Sequence, residues 1–158
     1  MRRAITSFIV ATSLCALSPG AEHKTWSKIR YVGGTVVIKT SPYDYNTTLT
    51  VGLNPEPIVV AIAPARPFAP LQTIRIKPDR VISLSLGQNA WNRVSEVRGA
   101  KLPARAPSLF GLLEDHGFMG IVYKTDEGKP AAILLDTYYR WPILSVLKEL
   151  TGKGIEGY

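Results

Sequence analysis

Apolar residues in this chain recur with period two over most of its length and with period 3.6 only near the end. Leu49, Val51 and Leu53 alternate with Thr48, Thr50 and Gly52, which is the pattern of a strand with one buried face. The run 58–62 (IVVAI) follows across Asn54-Pro55-Glu56-Pro57, so the two segments are expected to pair as a hairpin. Ile74 and Ile76 share one face of 73–77, and Ile82, Leu84 and Leu86 share one face of 81–86. A first strand is expected at 35–40 (TVVIKT), opened by Gly33-Gly34. The segments 119–124 (MGIVYK) and 131–135 (AAILL) read as a last hairpin, in which Gly128 supplies the positive φ of a bulged turn.

The helical period appears at Ile143, Val146, Leu147 and Leu150, spaced i, i+3, i+4 and i+7. Pro142 then falls in the first turn and Gly152 where a left-handed cap belongs. Residues 88–118 form an irregular excursion. Trp91, Val94 and Val97 have loosely helical spacing there, but Gly99, Pro103 and Pro107 interrupt it. The apolar island 109–113 (LFGLL) is expected to lie over an open end of the sheet, with an exposed patch that binds a partner as the alternative. Pro64, Pro67 and Pro70 make 63–70 a stiff connection that no central strand tolerates. About seven short strands and one C-terminal helix give an α+β fold: a mainly antiparallel, curled sheet or partly open barrel closed by the helix.

Ahead of all this, Arg2 and Arg3 precede an apolar run at 5–17 and a small-residue exit at Ser18-Pro19-Gly20-Ala21, the order of a secretory signal peptide. The run is short and diluted for a membrane span, which takes about 20 apolar residues. The expected organisation is a signal at 1–21 and one domain at 22–158, exported to the periplasm or outside the cell. Lipidation at Cys15 and an uncleaved N-terminal anchor are alternatives, the first opposed by the bulky Leu14. Cleavage removes the single cysteine, and with it disulfide and thiolate chemistry. It also leaves 17 basic side chains against 12 acidic ones, so the charge falls from +7 to +5. Envelope protein, anionic lipid or glycan are then the partners to expect, rather than nucleic acid.

The order of elements resembles that of pleckstrin-homology-like domains, including bacterial and GRAM-type versions. The carrying segments are 46–62, 74–88 and above all 120–152. They are also similar to a group of uncharacterised exported bacterial proteins with a Y-V-G-G-T start and a G-I-x-Y hairpin leading to a helix that ends L-T-G. The resemblance implies a β-rich domain closed by a C-terminal helix and a binding role. It implies no particular ligand, because this fold hosts lipid, peptide and protein binding alike. Residues 39–46 hold one Lys, one Asp and two Tyr, not the cluster of cations that lipid-reading members carry around the loop between their first two strands.

Candidate chemistry is sparse. No phosphate-binding glycine motif, serine-nucleophile elbow or spaced metal-ligand set occurs, so no cofactor, nucleotide or metal is expected. Arg93, Arg98, Lys101 and Arg105 form a candidate basic rim opposed only by Glu96. Tyr138, Tyr139 and Trp141 precede the periodic apolar positions of the final helix, either sealing the end of the sheet or facing a ligand, with sealing favoured. A non-catalytic binding or scaffolding domain at the cell envelope is the reading these features favour. The alternative is a small secreted hydrolase built on His116 and nearby carboxylates.

Overall fold

The computed structural model describes residues 22–40, 44–52, 57–63, 70–103 and 117–157. Residues 1–21 with the expected signal, residues 54–56 of the expected connection, Pro64, Pro67, Arg105, the apolar island and His116 lie outside them.

The elements are β1 (His23–Gly34), β2 (Thr47–Gly52), β3 (Ile58–Ile62), β4 (Gln72–Ile76), a 3-10 turn (Pro78–Arg80), β5 (Val81–Leu86), α1 (Gly87–Ser95), β6 (Phe118–Lys124), β7 (Pro130–Asp136), α2 (Arg140–Thr151) and β8 (Ile155–Glu156). They form one eight-stranded sheet in the order β4-β3-β2-β1-β7-β6-β5-β8. Every pairing is antiparallel except β5 with β8, and β4 and β8 are its two edges, so the sheet is not closed.

The long strand β1 joins two halves. Its first part pairs with β2 and its last part, Arg30–Gly34, with β7. The change of partner coincides with an irregularity between Trp26 and Ile29, where Lys28 takes φ +57°. An extra residue in one strand bends and twists the ladder, which turns the two halves toward each other. Their inner faces then share one core: Ile29, Tyr31, Leu49, Val60, Ile62 and Ile76 on one side meet Leu84, Met119, Ile121, Ile133 and Leu135 on the other. Helix α2 adds Ile143, Leu144 and Leu147 to that core. Each such burial contributes about 1.5–3 kcal/mol, so three side chains suffice to dock a twelve-residue helix. Pro142 lies in its first turn, and Gly152 caps it at φ +68°, donating its N–H to the Lys148 carbonyl.

Several expectations need correction. The first strand runs over 23–34, not 35–40, even though its first half is mostly polar. Its outer residues, His23 to Thr25, are exposed and are held by pairing with β2 rather than by apolar burial. The β-prone run at 35–40 folds back instead: the Tyr31 hydroxyl donates to the Val36 carbonyl at 2.6 Å and the Thr40 hydroxyl to the Tyr31 carbonyl at 3.0 Å. Ile82 does not share the buried face of Leu84 and Leu86. An irregularity between Val81 and Ser83 buries Val81 and leaves Ile82 42 % exposed.

The excursion at 88–118 begins as a helix. Ala90 and Val94 of α1 pack with Phe118, Val122, Ala132 and Leu134 on the outer face of the β5–β7 half. Among the described residues there are accordingly two helices, one on each face, and eight strands, the last added beyond α2 by Ile155 and Glu156. Among the described residues no helix is long and apolar enough to cross a membrane.

Candidate ligand-binding cleft

Alternation along β4 decides what faces solvent at one end of the sheet. Ile74 and Ile76 point into the core, so Arg75 points out, and Lys77 continues that exposed face. Pro78 then opens the 3-10 turn, whose Arg80 closes a hydrogen bond from its N–H to the Lys77 carbonyl at 3.0 Å. On the neighbouring hairpin, Tyr123 is buried and Lys124 is exposed at the end of β6. The β6–β7 turn is fixed by N–H donation from Thr125 to Lys129 O and from Gly128 to Thr125 O, both 2.9 Å, with Gly128 at φ +78°.

These two corners meet. Arg80 donates through Nη1 to the Thr125 carbonyl at 2.5 Å, tying the β4–β5 connection to the β6–β7 turn. Between them lies a cleft of about 150 Å³ lined by Pro57, Arg75, Lys77, Arg80, Lys124, Thr125 and Asp126. Four cations therefore surround one carboxylate. Asp126 Oδ1 lies 2.8 Å from Lys77 Nζ and 3.8 Å from Arg80 Nη2. The hydrogen bond and charge of Lys77, with a smaller share from Arg80, hold the Asp126 carboxyl below the usual carboxylate range. Among the described residues, neither Arg75 nor Lys124 has an ion-pair partner. Glu127, the next acid along, is taken by Lys129 at 2.9 Å. The cleft thus carries excess positive charge in a concave site, the arrangement that raises the local concentration of anions.

The candidate basic rim lies only partly within the described residues. Arg93 sits on α1, where Glu156 of β8 accepts from its Nε at 2.5 Å and Glu96 lies 3.6 Å from Nη1. Arg98 is exposed in the turn after α1. Lys101 is exposed too, but its backbone is pinned to the end of β1 by reciprocal bonds with Gly34 of 2.9 and 3.2 Å. Arg105 lies outside the described residues.

The aromatic group lies on the surface. Tyr138 is 89 % exposed and seals nothing, while Tyr139 and Trp141 are each 44 % exposed. Beside them, Asp136 Oδ2 accepts from Arg30 Nη2 at 3.0 Å and from the Tyr45 hydroxyl at 3.2 Å. Burial, and next to it the Asp136 charge, raise the Tyr45 phenol above its ordinary range. His116 lies outside the described residues, and among those residues no group of three His, Cys, Asp or Glu gathers as a metal site.

Sequence reasoning missed the cleft. The clue was I-R-I-K-P-D-R at 74–80, whose cations occupy the outward positions of a strand and turn. Lys124 is far along the chain and joins them only through the fold. No protein-family model matches the chain, and no curated protein matches it either.

Proposed function

We propose that this chain is an exported, non-catalytic binding domain that holds an anionic partner at the cell envelope, with the basic cleft as its binding site. The convergence of Arg75, Lys77, Arg80 and Lys124 on one cavity, two of them without an ion-pair partner among the described residues, carries the reading. The signal pattern at 1–21 supports export, and the net charge of +5 that cleavage leaves favours anionic partners. Two half-sheets bridged by β1 and covered by a helix are compatible with a pleckstrin-like domain, a fold that hosts lipid, peptide and protein binding.

N-terminal sequencing of the protein recovered from fractionated cells tests export, and a chain that begins at Met1 and stays in the cytoplasmic fraction would contradict it. Retention of the purified domain on an isolated envelope fraction tests binding. Retention should fall steeply between 50 and 300 mM salt, on the order of the range over which the Debye length shrinks from about 14 to 6 Å. Retention indifferent to salt would contradict an electrostatic site.

A further inference from the structure

Resting on that reading of the cleft, we propose that its ligand is a phosphate-type oxyanion carrying two charges, and that Asp126 is a resident competitor which the ligand displaces. The position of one anionic oxygen is already marked. Asp126 Oδ1 takes both Lys77 and Arg80 through a single atom, and leaves Arg75 and Lys124 unanswered in the same cavity. Among the described lining residues, four cations against one carboxylate leave three positive charges, and exchanging that carboxylate for a dianion reduces the excess to two.

The cations also reach the cavity from four backbone positions, in β4, just beyond it, in the 3-10 turn and at the end of β6. A planar carboxylate offers two oxygens in one plane, which suits one guanidinium fork. A tetrahedral phosphoryl group offers three terminal oxygens in different directions, which suits several donors at once. Size agrees, since a cavity near 150 Å³ takes a ligand of about six heavy atoms, the size of a phosphoryl group with its ester carbon.

Beyond the turn that carries it, Asp126 is held by exposed ion pairs. Its side chain is 75 % exposed, and its Lys77 partner 56 %. An exposed pair of this kind contributes little, so an incoming dianion can replace it without unfolding the hairpin. Removing the Asp126 charge therefore strengthens binding, where a purely structural turn residue would leave binding unchanged or weaken it.

The experiment is a titration of the full domain with glycerol 3-phosphate, followed through the backbone amides of Arg75, Lys77, Lys124 and Thr125, with malonate as the carboxylate control. Wild type should bind the phosphomonoester more tightly than malonate. Asp126→Asn should bind it about two- to fivefold more tightly still, the equivalent of the pair it loses. Arg75→Gln with Lys124→Gln should lose binding by about tenfold or more while keeping the thermal midpoint. A parallel arm with vesicles containing phosphatidic acid separates sources, since binding to vesicles and to glycerol 3-phosphate places the group on a lipid, and binding to the small molecule alone places it on a soluble or polymeric ester. Equal affinity for malonate and phosphate, abolished by the double substitution, would overturn the phosphate inference and leave the anion-binding reading standing. An unchanged or weakened Asp126→Asn would overturn the competitor role. Absence of response to both probes would overturn both proposals.

Discussion

The carbonyl oxygen of Lys101 lies 2.3 Å from the point where a β-carbon on Gly33 would stand, closer than any side chain tolerates. The Gly-Gly pair therefore does not open a strand. It ends one, and it lets the chain at 100–101 lie against β1 through the paired bonds between Gly34 and Lys101. Gly33→Ala should cost about 1–3 kcal/mol, the range for forcing extra atoms into a filled space, and urea denaturation measures it. A loss below about 0.5 kcal/mol would show that the 100–101 segment yields freely.

Gly120 does the same for α1. A β-carbon there would lie 2.6 Å from Ser85 Oγ, 3.2 Å from Val94 Cγ2 and 3.3 Å from Ala90 Cα, so the helix sits directly on the β6 backbone. Gly120→Val should lift α1 and separate Trp91 from Phe118, whose ring centroids are 5.4 Å apart. Trp91 fluorescence should shift to the red and stability should fall by about 2 kcal/mol. The core between the half-sheets, on the opposite face, should persist.

Tyr31 is fully buried, and desolvation, with a smaller contribution from Tyr123, drives its phenol well above the ordinary value. Tyr123 is raised as well, chiefly by burial. A group whose folded pKa exceeds its unfolded one contributes stability that is complete below the unfolded value, near pH 10 for tyrosine, and that drains away as pH rises toward the folded value. Stability should therefore be flat in Tyr ionisation up to about pH 9 and fall steeply above 10. Tyr31→Phe should flatten that alkaline limb while costing about 1 kcal/mol at pH 7, through loss of the bond to the Val36 carbonyl. Equal alkaline slopes in both proteins would contradict the assignment.

Much of the sheet was legible because its strands carry their own signal. Ile58–Ile62 and Val81–Leu86 start and stop where apolar runs meet turn residues, and Gly152 caps α2 where the periodicity ends. β1 was missed because His23 to Lys28 owe their strand conformation to β2, which local propensity does not record. The run at 35–40 has the propensity, but among the described residues only Thr35 makes a backbone hydrogen bond to a strand, to Ala132 of β7. α1 was obscured by Gly99, Pro103 and Pro107, which follow the helix and do not enter it.

The cleft was half legible. Arg75 and Lys77 alternate with buried isoleucines, so their outward placement follows from sequence. Their meeting with Lys124 depends on the twist that brings the β4–β5 corner to the β6–β7 turn. The pairing of Arg93 was not legible, because charge along the chain says nothing of Glu156, which comes from a strand 63 residues beyond it.

The central claim is that the Arg75–Lys124 cleft, not the 93–101 segment, is the ligand site. Two variants with the same change in net charge separate them: Arg75→Glu with Lys124→Glu, and Arg93→Glu with Arg98→Glu. Their binding to isolated envelope fraction should be measured at fixed low salt, with thermal midpoints as the control for folding. The cleft variant should lose about tenfold or more in affinity, the equivalent of 1.4 kcal/mol, while the other stays within about twofold of wild type. Equal losses in the two, or a loss confined to the Arg93 and Arg98 variant, would contradict the account.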